Sequence, residues 1–279
     1  MNPPLEIQLW NDTPPLWNPE STIAHPSLAF YSGGEGVRPC MLILPGGGYS
    51  MLADHEGKGG FAIHWNKAGW HTAVLRYRTQ CPQHPAPLGE GPLRDAVEAM
   101  RWLRKNAETH GIDAGRIAVI GSSAGGHLAA SLAVHGEAIS TRFPDPTAVS
   151  VRPDALLLCY AVLVAGENAH TGSIRNLCGE PGSDPEREAF FSLERHITKE
   201  TPPTFLWHTA DDASVPVENA LAFAHALRKA NRPLSLHVFP HGRHGLGLAE
   251  DDPVVGVWPH LANAWLKSEE FPFPEIGSE

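Results

Sequence analysis

Six short apolar runs punctuate this chain: CMLIL (Cys40 to Leu44), HTAVLRY (His71 to Tyr77), RIAVIG, DALLLCY, TFLWHT and LSLHVF. Continuous apolar stretches of this length, with β-branched or aromatic members, suit strands buried on both faces of a mainly parallel sheet. Helical patterns lie between them. Leu93, Val97, Met100 and Leu103 share one helix face, Leu128 and Leu132 sit four apart in HLAASLAV, and Val217, Leu221, Ala224 and Leu227 follow Pro216. Val254, Trp258, Leu261 and Trp265 make a C-terminal stripe. Strands alternating with helices imply an α/β domain whose doubly wound sheet carries helices on both faces.

A chain of 279 residues suits one large domain better than two. Residues 1–26 are Pro-rich and irregular and read as an arm lying over a single domain, 27–279. The stretches from about 136 to 152 and from about 166 to 202 are rich in Pro, Gly and charge; they read as excursions forming a lid or one wall of a pocket. The net charge of -10 argues against nucleic acid and anionic lipid, which are bound by clustered Lys and Arg. No run approaches the roughly 18 apolar residues of a membrane span. The start, MNPPLEIQLWNDTPP, has neither the basic nor the apolar part of a signal peptide. Cys40, Cys81, Cys159 and Cys178 are far apart and read as buried thiols, so a cytoplasmic address is expected.

Four local patterns carry chemistry. Gly121-Ser122-Ser123-Ala124-Gly125 fits GxSxG between a strand and a helix, the setting of a nucleophile elbow. There Ser123 takes a tight, strained turn, Gly121 and Gly125 relieve its collisions, and the helix N-terminus favours developing negative charge. The competing reading is a Gly/Ser turn in which Ser122 or Ser123 caps the helix. Pro45-Gly46-Gly47-Gly48-Tyr49 follows the strand CMLIL. In this architecture such a loop supplies oxyanion donors together with the N–H after the nucleophile, here Ala124.

At the tip of TFLWHT stand Asp211 and Asp212, either able to orient an imidazole. Asp212 is preferred, four after His208 and four before Pro216, which leaves Asp211 to favour the next helix's N-terminus. After LSLHVFP comes His241-Gly242-Arg243-His244-Gly245, in which His244 is the candidate base. The order Ser123, Asp212, His244, each after an expected strand, is that of the α/β hydrolases. No HExxH or Cys/His zinc spacing accompanies the histidines. Asp54, His55 and Glu56, near the glycine loop, either touch substrate or, the preferred reading, form a solvated turn.

At these residues the chain resembles the esterase branch of the α/β-hydrolase superfamily, in particular small carbohydrate esterases, the acetyl xylan esterase and feruloyl esterase relatives often labelled xylanase-like. The matching stretches include LPGGGYSMLADHEGKG, PLRDAVEAMRWLR, IDAGRIAVIGSSAGGHLAASLA, HTADDASVPVENALAFAHAL and HGRHGLGLA, between about residues 40 and 250. The resemblance implies the α/β-hydrolase fold, a Ser123–Asp212–His244 triad, and Gly47, Gly48 and Ala124 as oxyanion donors. Two departures stand out: Pro45 replaces the His of His-Gly-Gly-Gly, and the common His-Gly-x-x-Asp lacks its Gly. A xylanase label sits badly with these residues, because glycoside cleavage needs two facing carboxylates.

The expected activity is hydrolysis of short acyl esters through an acyl-enzyme, with acetyl groups on xylan-type oligosaccharides as candidate substrates and no cofactor. Trp10, Trp17, Trp65 and Trp70 either offer faces to a sugar or fill the core. Two rivals remain: a peptidase of the prolyl-oligopeptidase type, and a non-catalytic binder that kept the pocket.

Overall fold

A computed structural model describes residues 3–143 and 148–268. Its strands are β1 (Leu5–Gln8), β2 (Ser27–Tyr31), β3 (Arg38–Leu44), β4 (His71–Arg76), β5 (Ile112–Ser122), β6 (Ala155–Cys159), β7 (Thr204–Thr209) and β8 (Leu234–Phe239). Its helices are α1 (Asp54–Gly57), α2 (Gly60–Lys67), α3 (Gly91–Lys105), α4 (Ala107–His110), α5 (Ala124–Arg142), α6 (Thr171–Cys178), α7 (Pro185–Phe190), α8 (Glu218–Lys229) and α9 (Trp258–Leu266). The strands form one sheet in the order β1-β2-β4-β3-β5-β6-β7-β8. β2 runs antiparallel to both its neighbours, and β4 through β8 are parallel with β3 between β4 and β5.

Each of the six apolar runs is a strand, because alternate residues bury on opposite faces. Cys40, Leu42 and Leu44 of β3, with Ile117 and Val119 of β5, pack beneath α3, α5 and α8. Met41 and Ile43, with Ala118 and Ile120, pack toward α2 and α9. Each Leu or Ile buried this way contributes about 1.5–3 kcal/mol. The two-faced burial fails at β8, where Leu236 and Val238 are exposed. Among the described residues β8 is the last strand of the sheet and has a neighbour on one side only.

Two helical stripes are buried only in part: Ala224 and Leu227, and Trp258 and Trp265, face the core as expected, but other members do not. Leu221 in α8 and Leu261 in α9 face water, as does Val254 before α9. The buried positions are Asn219, Ala220, Phe223, Ala224 and Leu227 of α8, and Trp258, Pro259, Ala262, Trp265 and Leu266 of α9. The first excursion also starts later than expected, because α5 continues to Arg142; residues 144–147 of it lie outside the described residues.

Residues 5–8 are not an irregular arm. They add β1 to the sheet edge, and an Arg76–Glu6 ion pair ties that strand to β4. Further along, Trp10 Nε1 donates to Asp95 Oδ1 at 2.9 Å, and Arg78 Nη1 to the Pro15 carbonyl at 2.5 Å. Asp95 is fully buried on α3 and takes a two-pronged grip from Arg78, with Nε to Oδ2 at 2.8 Å and Nη2 to Oδ1 at 2.6 Å. Breaking such a pair strands a buried charge. Asp95→Ala is therefore expected to lose about 3–5 kcal/mol in urea unfolding; a loss under about 1 kcal/mol, the worth of a surface pair, would contradict this account.

Candidate active site

The loops after β3, β5, β6, β7 and β8 meet at the carboxyl edge of the sheet, where open α/β sheets hold their ligands. Ser123 sits between β5 and α5 with φ 53° and ψ -122°, a conformation that a non-glycine residue adopts only under strain. Its neighbours show why the turn needs glycine. A Cβ on Gly121 would lie 2.2 Å from the Gly125 carbonyl oxygen, and one on Gly125 would lie 2.0 Å from that of Leu44. Ser123 makes no side-chain cap bond to α5, so the capping alternative fails.

Its hydroxyl instead lies 2.8 Å from His244 Nε2, and His244 Nδ1 lies 2.7 Å from Asp212 Oδ2. The geometry thus brings together the three residues singled out in the sequence. With Nδ1–H donated to the carboxylate, Nε2 is left to accept from the serine. Asp212 Oδ1 accepts the amides of Ser214 and Val215 at 2.8 and 3.0 Å. His208 Nε2, bound to the Val215 carbonyl at 2.9 Å, stands 3.5 Å from Asp212 Oδ2. Burial pushes the Asp212 carboxyl up, but hydrogen bonds from His208, His244 and the two amides outweigh it and hold the group well below the usual carboxylate range.

Asp211 departs from its expected role at the helix. Its oxygens meet His241 Nδ1 at 2.9 Å and the Gly242 amide at 2.8 Å, in a pair with both side chains more than half exposed. The amides leading toward α8 belong to Asp212 instead, because that carboxylate is the one turned inward.

The glycine loop is held almost entirely by its carbonyls. Pro45 O accepts from Tyr77 Oη at 2.5 Å, Gly46 O from the Ala53 amide at 2.9 Å, and Gly47 O from the Ser50 and Met51 amides at 3.1 and 3.2 Å. Gly48 O accepts from Asn176 Nδ2 at 2.8 Å, and Tyr49 O from the Gln80 amide at 2.8 Å. A trans peptide points its N–H opposite its C=O. Anchoring the carbonyls of Gly46 and Gly47 therefore turns the N–H groups of Gly47 and Gly48 the other way. These two donors, and that of Ala124, have no protein acceptor among the described residues. Gly47 and Gly48 hold φ 124° and 65°, so their lack of Cβ is what permits the turn.

Several contributors escaped the sequence reading. Tyr49 Oη meets His127 Nδ1 at 2.9 Å, while His127 Nε2 donates to the Phe191 carbonyl at 3.0 Å, tying the glycine loop to α5. Burial pushes the His127 imidazole down to about 4, so it stays neutral. α6, in the second excursion, lies against the glycine loop through Asn176, and its N-cap His170 meets Ser173 Oγ at 2.8 Å. Burial first, then the neighbouring His244, lowers the His170 pKa, with Asp212 opposing.

Glu56 is the largest departure. It is buried rather than a solvated turn residue, with Oε2 accepting the Gly46 amide at 2.7 Å and Oε1 accepting Tyr160 Oη at 3.1 Å. His55 is exposed with Nε2 at 3.2 Å from Glu56 Oε1, and the Asp54 side chain lies outside the described residues. A sequence signal for Glu56 existed only in its distance from the glycine loop. Of the four tryptophans, Trp65 and Trp70 are core, while Trp10 and Trp17 are half-buried, with the Trp10 N–H taken by Asp95. Trp17 has Arg78 over its ring at 5.8 Å. Among the described residues, no helix is long and apolar enough to cross a membrane.

The BD-FAE family model matches residues 30–227. The chain is 41% identical over 228 residues to endo-1,4-beta-xylanase B of Butyrivibrio fibrisolvens, covering 81% of this chain and 35% of that protein. It is 33% identical over 239 residues to an acetylxylan esterase of Xylanibacter ruminicola, covering 81% of this chain and 44% of that protein. The chain thus spans less than half the length of either. Among solved structures, an acetyl ester-xyloside bifunctional hydrolase from Caldicellulosiruptor lactoaceticus superposes with TM-score 0.87 at 41% identity, covering 96% of this chain and 97% of that one. An α/β hydrolase from a deep-sea metagenome library superposes with TM-score 0.70 at 30% identity, covering 94% and 96%. The fold is that of the α/β hydrolases.

Proposed function

Since the chain belongs to the BD-FAE family of carbohydrate-esterase-like α/β hydrolases, we propose that it hydrolyses short-chain acyl esters through an acyl-enzyme, with acetyl groups on xylan-type oligosaccharides as its substrates. The observation that carries this reading is the continuous relay Ser123–His244–Asp212, with contacts of 2.8 and 2.7 Å beside unengaged amides. Ser123 Oγ attacks the ester carbonyl as its proton passes to His244 Nε2. Asp212, ionised and buried, stabilises the imidazolium from the Nδ1 side. The amides of Gly47, Gly48 and Ala124 receive the charge on the carbonyl oxygen, each such donor being worth about 3 kcal/mol in the transition state. The tetrahedral centre collapses, His244 protonates the departing alcohol, and water repeats the sequence on the acyl-serine to release the acid. No step calls for a cofactor.

Xyloside cleavage, part of the name of one similar protein, gains nothing from these carboxyl groups. Asp212 and Glu56 are both buried and accept hydrogen bonds on both oxygens, so neither faces a glycosidic oxygen. The test is a panel of p-nitrophenyl acetate, butyrate and octanoate, acetylated xylo-oligosaccharides and p-nitrophenyl xyloside. Acetate release from the sugars, turnover that declines with acyl length and an inert xyloside are expected; xyloside cleavage without ester hydrolysis would refute the reading.

A further inference from the structure

Glu56 has 1% of its surface exposed, a costly place for a carboxyl group unless it is fully hydrogen-bonded. Its hydrogen-bond partners belong to two separate catalytic loops, one of which reaches on to a third, and His55 Nε2 stands 3.2 Å from Oε1. Oε2 holds the Gly46 amide at 2.7 Å, in the peptide just before the one whose N–H faces the site. Oε1 receives Tyr160 Oη at 3.1 Å, and that same phenol oxygen accepts the Gly247 amide at 3.0 Å, three residues beyond His244. Both carboxyl oxygens therefore act as acceptors, as the ionised group does.

Tyr160 reaches this position at a price in backbone strain. It holds φ 37°, a left-handed conformation rare for an aromatic residue, directly after β6. Its ring meets the His244 imidazole edge-on, with centroids 5.1 Å apart. Next to it in the sheet, the Cys159 carbonyl accepts the Ser123 amide at 3.0 Å. Strain of this kind persists where the surroundings hold it, and such positions cluster at functional sites.

We propose that Glu56 is a positioning residue that locks the oxyanion loop and, through Tyr160, the histidine loop into one register. The inference rests on the esterase reading above. Glu56 fixes the Gly46 peptide, which limits how far the Gly47 N–H can swing; Tyr160 carries the same anchor to Gly247 and lies against the ring that must take the proton. Misplacing such groups by about 1 Å can cost on the order of 100-fold in rate without touching substrate affinity.

The test measures kcat and KM separately on p-nitrophenyl acetate for the wild type, Glu56→Ala, Glu56→Gln, Tyr160→Phe and the Glu56→Ala/Tyr160→Phe pair, with circular dichroism to check folding. Glu56→Ala is expected to lower kcat by about 100-fold with KM within about threefold, since the loss falls on orientation. Glu56→Gln should recover about tenfold of that, because one amide oxygen still accepts from Gly46 while the NH2 group cannot accept from Tyr160. Tyr160→Phe should lose about tenfold, and the pair should be no worse than Glu56→Ala by more than about twofold, as expected of one shared network. If Glu56→Ala does not fold, the two volume-conserving variants decide. An active wild type whose folded variants keep kcat within threefold, or change KM alone, overturns the proposal and leaves the esterase reading standing. An inert wild type removes the esterase reading and this proposal with it.

Discussion

Replacing Ser123 by alanine is expected to lower kcat on p-nitrophenyl acetate by on the order of 10⁵-fold or more, the scale on which losing the nucleophile abolishes a triad's concerted chemistry. The geometry lets this loss be read cleanly. Alanine fits the φ 53° turn no better and no worse than serine, and the flanking glycines still clear their neighbours. His244 keeps its 2.7 Å contact with Asp212 and so keeps its place. Only the 2.8 Å Ser123–His244 bond is lost, worth about 0.5–1.5 kcal/mol, so the variant should melt close to the wild type. Residual hydrolysis above the uncatalysed rate would come from the unengaged amides alone. A fluorophosphonate should label the wild type and not the variant. Turnover that survived the substitution would place the nucleophile elsewhere and end the triad assignment.

Asp212→Asn should cost about 10⁴-fold in kcat with little change in KM, and the hydrogen bonds already described give the reason. The amides of Ser214 and Val215 donate to Oδ1 and need an acceptor there. The asparagine oxygen must take that position, which turns its NH2 group toward His244 Nδ1. The imidazole is then driven to the tautomer with its proton on Nε2, facing Ser123, where it cannot act as a base. Asp211→Asn is the control: its partner His241 is largely in water, where such a pair is screened by solvent, so activity should hold within about twofold. Equal losses in the two variants would mean that the inward carboxylate has no special role. Stability should show the same site. The Asp212 pKa is depressed in the folded protein, so the stability it contributes is complete above the ordinary carboxylate value of about 3.9 and is lost as pH falls through the folded value. The stability gap between wild type and Asp212→Asn should therefore narrow only in acid.

The six strands and the order of the triad were legible because each depends on local pattern: apolar runs bounded by turns, and a short motif at the tip of a run. The phase of the amphipathic helices was less so. In α8 the stripe through Leu221 and the stripe through Ala220 and Phe223 have similar spacing, and only the helix's rotation on the sheet decides which one is covered. β1 was hidden because LEIQ is short and pairs only through a strand whose own position depends on the rest of the sheet. Glu56 was misread for a different reason. An acidic residue in DHEG looks solvated by composition, and its burial comes from Gly46 and from Tyr160, which lies 104 positions away. Likewise Asn176 and His127 reach the glycine loop only once α6 and α5 are packed. Their sequence contexts carry no mark of that contact.

The main-chain contact between Gly125 and the end of β3 has a consequence for how this scaffold can diversify. With no room for a Cβ between Gly125 and the Leu44 and Pro45 carbonyls, the spacing of attacking oxygen and charge-receiving amides is set by backbone against backbone. A side chain at position 125 therefore finds no place unless the start of α5 or the end of β3 moves. Novelty in acyl or sugar preference is then sought on the surrounding rim, at exposed positions of α6 rather than at Asn176, which anchors the Gly48 carbonyl.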